Sequence, residues 1–435
     1  MKITVAGTGY VGLVTGVCLA AVGYDVTCLD LDEKKVEALK RGVSPIYEKD
    51  LEEMMALHRE RISYTTDKKS AYADADFIFI GVGTPENADG SANLSAVYAV
   101  ADDIAAFAVN SPIVAVKSTV PIGTCDKIEK YINDKMKPGF EVRVVSNPEF
   151  LAQGTAVRDT LKASRIVVGA KDAKAAQAMK GLYEPFDLPV ILTDRRSSEM
   201  IKYASNDFLA LKISYINEIA NLCELVGANI DDVAMGMGYD NRIGRLFLKA
   251  GIGYGGSCFP KDTKALFWLS EFHGYEMKTV KAAIDVNEEQ KFILIRKSRK
   301  YYDTLAGKTV AVLGLTFKPG TDDLREAPSL KIVPALLEEG AKVKAWDPVV
   351  GDKTRSRLPE GVEYCPSIDD AVTGADLCMI LTEWPEVVGY DVRSYAKLMS
   401  KGIVIDGRNC YNTQDMMGKG VFYESVGRLP VTPEA

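Results

Sequence analysis

The chain has 435 residues, 47% apolar and 26% charged, enough to build two or three packed domains. A net charge of −7 excludes a general binder of nucleic acid or of an anionic membrane surface, so an anionic ligand needs a local cluster of Lys and Arg. Eight cysteines without a CxxC pair or a metal-ligand spacing predict free thiols, no metal site and a cytoplasmic setting. The two histidines, His58 and His273, sit in polar stretches that read as helix surfaces, which leaves acid–base chemistry to Lys, Asp, Glu or Cys. The first strand is expected at once, with no leader-like segment before it, and no apolar run reaches the roughly 18 residues of a membrane span.

The stretch KITVAGTGYVGLVTGVCLAAVGYDVTCLD opens the chain as strand, glycine-rich turn, helix and strand, with the first strand over residues 3–6. Gly7, Gly9 and Gly12 form G-x-G-x-x-G between that strand and helix, and Asp30 ends the next strand. The glycines suit a tight turn, close approach of a pyrophosphate and close helix packing; Asp30 suits ribose hydroxyls and repels a 2′-phosphate. This predicts a dinucleotide site that prefers NAD. Further βα units at ADFIFIGVGTP, SPIVAVKSTVPIGT, VRVVSNPEF and SRIVVGA predict a parallel, doubly wound sheet.

The pattern changes near Asp194. SSEMIKYASNDFLALKISYINEIANLCELVGA predicts one long helix, capped by Ser197 or Ser198 and stopped at Gly227. Met200, Phe208, Leu211, Ile213, Ile216, Ile219 and Leu222 surround much of its circumference, which suits burial between domains or in a homodimer. Helical sequence continues to about Leu305. The βα alternation restarts at GKTVAVLGLTFKPG and runs through AKVKAWDP, ADLCMILTEW and KGIVIDGRN, while the tail after Phe422 has little pattern and predicts disorder. The expected fold class is α/β: two Rossmann-like doubly wound parallel-sheet domains, 1–196 and 306–435, joined by a helical central domain, 197–305, that carries Cys258.

Cys258 lies in GIGYGGSCFPKD. Pro260 suits the first position of a helix, which puts the cysteine just before a helix N-terminus, where free amides favour a thiolate. Lys261 adds positive charge, and the surrounding glycines leave the sulfur unobstructed. A nucleophilic thiol beside NAD has a chemical logic. Oxidation of an alcohol yields an aldehyde; addition of the thiol makes a thiohemiacetal that can be oxidised again, and water hydrolyses the resulting thioester to an acid.

Seven segments carry a resemblance across nearly the whole chain: GTGYVGL, STVPIGT, NPEFLAQG, IKYASND, FLKAGIGYGGSCFPKD, GLTFKPGTDDLRE and DGRN. With them the chain resembles the nucleotide-sugar dehydrogenases, the UDP-glucose/GDP-mannose dehydrogenase family, and GYGGSCFPKD is most similar to the UDP-glucose branch. The resemblance implies oxidation of UDP-glucose to UDP-glucuronate with two NAD reduced, or the same oxidation of GDP-mannose or a UDP-N-acetylhexosamine. It implies Cys258 as nucleophile, Lys202 and Asn206 as stabilisers of the oxyanion, Asp262, alone or with Lys202, as the group positioning a water that acts as base in the first oxidation, and Glu149 and Thr119 in thioester hydrolysis. For NAD it adds Tyr10, Val11, Lys35, Thr84, Ser118, Thr119, Lys261 and Arg325 to the glycines and Asp30. For the sugar nucleotide it implies Glu149, Phe150, Leu151, Ala152, Gln153, Lys202, Asn206, Lys249, Gly253, Tyr254, Gly255, Phe317, Lys318 and Arg408, with Arg242 reaching in from a neighbouring subunit. Gln153 stands where the family often has Glu and, as a neutral amide, cannot act as a base.

Overall fold

The computed structural model describes residues 1–434. The chain divides into two compact units, one of Met1–Ser205 with Trp268–His273, the other of Asn206–Phe267 with the chain from Gly274 onward.

The first unit is built on eight strands: β1 (Lys2–Ala6), β2 (Asp25–Leu29), β3 (Ile62–Thr65), β4 (Phe77–Ile80), β5 (Ile113–Val116), β6 (Arg143–Ser146), β7 (Ile166–Gly169) and β8 (Val190–Thr193). Their order across the sheet is β3-β2-β1-β4-β5-β6-β7-β8. The central strands are near-continuous apolar runs because helices cover both faces; every residue of β4 and β7 is buried. The first helix, Tyr10–Ala21, is apolar all round and buried from Gly12 to Ala20 for the same reason. The sheet departs from the expected all-parallel form at one seam. Strand β7 meets β6 antiparallel through the single pair Ser146 and Gly169, and β8 then pairs parallel to β7. Residues 147–165 hold only a short helix, Ala156–Leu161, and this connection returns the chain in the opposite direction.

The second unit carries β9 (Thr309–Leu313), β10 (Lys342–Trp346), β11 (Val362–Tyr364), β12 (Leu377–Ile380), β13 (Ile403–Asp406) and β14 (Phe422–Ser425). All its pairs are parallel, in the order β11-β10-β9-β12-β13-β14. The tail is ordered, contrary to expectation: β14 pairs with β13, and Tyr423 and Val431, both buried, exchange backbone hydrogen bonds of 2.9 Å. Its polar Glu424 is buried against Lys300 at 2.9 Å, which breaks the apolar pattern that would mark a strand.

The long helix spans Arg195–Val226. Its cap is Asp194, not Ser197 or Ser198: the carboxylate accepts from the Ser197 amide at 2.9 Å and its hydroxyl at 2.5 Å. Ser198 is instead buried, donating to Ser146 Oγ at 2.9 Å. Gly227, at φ +78°, ends the helix as expected. Ile216 is fully buried, whereas Met200, Phe208, Tyr215, Leu222, Leu225 and Val226 are exposed. Among the described residues no helix is long and apolar enough to cross a membrane.

Candidate active site

In the first unit the site collects at the carboxyl ends of β1, β2, β4 and β5, around the point where the strand order reverses. A Cβ on Gly12 would lie 2.0 Å from the Gly7 carbonyl oxygen, so the turn and helix pack as they do only with glycine at that position. Gly9 faces open space at the start of the first helix, where first-turn amides and the helix dipole favour an anion. Tyr10 and Val11 open that helix. Asp30, partly buried, accepts from the Thr8 amide at 2.9 Å and its hydroxyl at 2.6 Å, and from the Asp32 amide at 3.0 Å. Burial opposes its charge, but these donors, with Lys35 at 4.0 Å, hold its pKa below the ordinary value. Thr84 donates to the Thr119 carbonyl at 2.8 Å, and Ser118 to that of Val82 at 2.6 Å, lacing together the loops after β4 and β5. These residues fit a dinucleotide: a bare backbone for the phosphates and an ionised carboxylate with lone pairs to spare for a ribose.

Beyond β6 the first unit holds a buried ion pair. Lys202 Nζ donates to Glu149 Oε1 at 2.9 Å and to the Glu149 carbonyl at 2.8 Å, with both side chains under a tenth exposed. Burial alone would raise the Glu149 pKa; the Lys202 ammonium outweighs it, and the Leu151 amide adds a hydrogen bond at 2.8 Å. Phe150 lies under the Arg165 guanidinium at 3.9 Å. The Ala152 amide donates to Asp159 at 3.2 Å, and the buried Gln153 side-chain oxygen has no donor among the described residues.

In the second unit Cys258 is partly exposed and immediately precedes the helix Phe259–Phe272, its carbonyl accepting from the Asp262 amide at 2.8 Å. Asp262 is 1% exposed and holds two partners, Asn206 Nδ2 at 2.6 Å and Lys261 Nζ at 2.5 Å. The polar residues are thus paired as Lys202 with Glu149 and Asn206 with Asp262. The glycines before Cys258 serve packing as well as access: a Cβ on Gly255 would lie 2.4 Å from the Glu326 carbonyl oxygen. A cavity of about 300 Å³ is lined by Lys249, Gly253, Tyr254, Gly255, Phe317, Lys318, Arg408 and Glu383. Arg408 is fixed by the carbonyls of Leu381 at 2.8 Å, Phe317 at 3.0 Å and Gly253 at 3.2 Å, with Glu383 at 3.4 Å. Three cations in one wall provide the local positive charge that a diphosphate needs in an acidic chain. Arg242 stands outside this wall, exposed and forked onto Asp240 at 2.6 Å, and Arg325 is forked onto Asp323 at 2.7 Å.

Residues 1–187, 196–289 and 311–413 match, in turn, the NAD-binding, central and UDP-binding domains of the UDP-glucose/GDP-mannose dehydrogenase family. The chain belongs to that family. It is 47% identical to a UDP-glucose 6-dehydrogenase of Bacillus subtilis over 435 residues, covering 100% of this chain and 99% of the relative. It is 45% identical to the UDP-glucose 6-dehydrogenase of Rhizobium meliloti, covering 98% of this chain and 100% of the relative. Among solved structures, a UDP-glucose dehydrogenase from Pyrobaculum islandicum superposes with a TM-score of 0.92 at 38% identity, covering 98% of each chain. A UDP-D-ManNAc dehydrogenase from Pyrococcus horikoshii follows at 0.86 and 27%, covering 100% of each. The chain is therefore an NAD-dependent dehydrogenase of this family.

Several polar residues of this dehydrogenase escaped sequence reasoning. Lys117 is buried, its pKa lowered to about 8 by desolvation, and its ammonium donates to Asn147 Oδ1 at 3.3 Å, an oxygen that also accepts from Tyr183 at 2.5 Å. Its one signal was a lysine closing the apolar run VAVKST. Asp207 is 5% exposed, and among the described residues neither of its oxygens has a hydrogen-bond partner; burial, then the charge of Asp262, raises its pKa to about 8. Nothing but a charged residue in a largely apolar helix pointed to it.

Proposed function

We propose that the chain oxidises UDP-glucose to UDP-glucuronate in two successive oxidations through a thioester on Cys258. The observation that carries this reading is its 47% identity, over the full length, to a UDP-glucose 6-dehydrogenase. The three-cation wall of the 300 Å³ cavity supports a sugar nucleotide as the ligand. Bound NAD would supply the hydride acceptor for both oxidations.

The chain's own groups divide the remaining work. Asp262, held between Asn206 and Lys261, positions a water that takes the proton of the C6 hydroxyl in the first oxidation. Cys258 sulfur then adds to the aldehyde carbon. The carbonyl π pair moves to oxygen, and Lys202 and Asn206 stabilise that oxyanion. Oxidation of this thiohemiacetal leaves a thioester. Water attacks its carbonyl with Glu149 and Thr119 assisting, the C–S bond breaks, and Cys258 is regenerated beside the carboxylate product. Gln153 takes no acid–base part. Lys249, Lys318 and Arg408 hold the diphosphate, with Phe317 and the backbone of residues 253–255 shaping the rest of the pocket.

Three further readings belong to the same proposal. The chain divides into an NAD domain to residue 196, a helical domain to 305 and a UDP-sugar domain beyond. The exposed apolar side chains of the long helix, Phe208, Leu222 and Leu225 among them, are the core of a cytoplasmic homodimer in which Arg242 reaches the diphosphate held by the neighbouring subunit. A dimer mass by light scattering is expected; a monomer at micromolar concentration would refute that part. Cys258→Ser tests the chemistry: overall turnover should fall by several orders of magnitude. A rate within tenfold of wild type would remove Cys258 from the mechanism.

A further inference from the structure

The cavity wall at residues 251–255 belongs to no helix or strand, yet the backbone amides and carbonyls of Gly251 and Tyr254 are each held by a buried side-chain amide. Asn217 Oδ1 accepts from the Gly251 amide at 2.9 Å, and Gln290 Nε2 donates to the Gly251 carbonyl at 2.8 Å. Three residues on, Asn287 Oδ1 accepts from the Tyr254 amide at 2.7 Å and its Nδ2 donates to the Tyr254 carbonyl at 3.1 Å. Asn221 Nδ2 donates to Gln290 Oε1 at 2.9 Å and so fixes which way that amide faces. Asn217, Asn287 and Gln290 are each at most 2% exposed.

Primary amides are costly to bury unless their groups are bonded, and a loop has no ladder of its own to satisfy its backbone. Here the two needs meet: side chains of the long helix and of the helix Lys278–Gln290 take the place of a neighbouring strand. The fit leaves no slack. Gly253 sits at φ +87°, and a Cβ there would lie 2.5 Å from Asn287 Oδ1. On its other side the Gly253 carbonyl accepts from Arg408, one of the cations of the cavity. Asn217 Nδ2 has no acceptor among the described residues, and its residue lines the same cavity.

We propose that Asn217, Asn287 and Gln290 are positioning residues for the sugar nucleotide. They lock residues 251–255, and through them Arg408, in the shape that receives its diphosphate, so affinity for the nucleotide sugar depends on them while affinity for NAD does not. The inference rests on the UDP-sugar reading of this cavity given above. Asn287→Asp keeps the size and the acceptor but sets an oxygen against the Tyr254 carbonyl. Gln290→Glu does the same at Gly251.

The test uses the full chain, with UDP binding followed by titration calorimetry, NADH binding by fluorescence and the midpoint of thermal unfolding. For Asn287→Asp the UDP Kd and the KM for UDP-glucose should rise at least tenfold, with the NADH Kd within twofold of wild type. Gln290→Glu should follow in the same direction and serves alone if the first variant does not fold. UDP binding within twofold of wild type in a folded variant overturns the proposal, as does an equal loss of NADH and UDP affinity, the mark of a merely structural role. Failure of the wild-type chain to bind UDP would instead overturn the reading of the cavity, and the proposal with it.

Discussion

The two sheets end alike and do different things. At β1 the Gly7 amide donates to the Leu29 carbonyl at 2.8 Å, and Asp30, next in chain, accepts from Thr8. At β9 the Gly314 amide donates to the Trp346 carbonyl at 2.7 Å, and Asp347, next in chain, accepts from the amides of Leu315 at 2.7 Å and Thr316 at 3.1 Å. The difference is a tryptophan. Asp347 Oδ2 also accepts from the Trp384 indole at 3.0 Å, and the residue is 6% exposed. Asp30 meets no such ring and stays partly open. One strand-turn-aspartate device is thus left partly open in the first unit, as a ligand site would need, and closed into an internal lock in the second. What separates the two is whether the protein's own donors use up the carboxylate.

The contrast can be broken most severely at the glycines. Gly12→Val drives side-chain carbons into the Gly7 carbonyl and should abolish measurable NADH binding, a loss of at least a hundredfold by fluorescence titration. Gly314→Ala, at φ +86° and with its Cβ 2.4 Å from that of Thr382, should lower the unfolding midpoint and leave the NADH Kd unchanged. The aspartates come next. Asp347→Asn should cost about 2–4 kcal/mol of stability by chemical denaturation, since the charge-assisted bonds it loses are buried. Asp30→Asn should cost less stability, yet raise the KM for NAD about tenfold. A reversal of either pair would end the comparison.

A smaller contrast lies between buried carboxylates. Glu149 is matched by Lys202; Asp207 has no such partner, and its pKa rises from 3.8 to about 8. Between those values the native state holds a proton that the unfolded chain has released, so the Asp207 contribution to stability falls as pH rises and is lowest above about 8. Asp207→Asn should therefore leave stability near pH 4 little changed and raise it by a few kcal/mol at pH 8 and above, read as a shift in denaturant midpoint. Equal shifts at both pH values would show that Asp207 ionises freely.

What was legible in the sequence was whatever the backbone demands locally. Gly7, Gly9 and Gly12 with Asp30 announced the first sheet end, and Pro260 placed Cys258 at the start of a helix. The family segments named most of the cavity wall. Pairings made across long stretches of chain were not legible: Lys202 with Glu149 is separated by 53 residues and Asn206 with Asp262 by 56. The amide set was hidden because Asn217, Asn287 and Gln290 lie on helices whose other residues are ordinary, and only the fold brings them to one loop. The tail defeated pattern reading because a four-residue edge strand containing a buried Glu424 has no alternation to detect.

A double oxidation through Cys258 sets the ratio of NADH formed to sugar nucleotide consumed. With UDP-glucose, GDP-mannose and UDP-N-acetylglucosamine offered separately, two NADH are expected for each UDP-glucose, with no comparable turnover of the others. One NADH per UDP-glucose, with the aldehyde released, would contradict it.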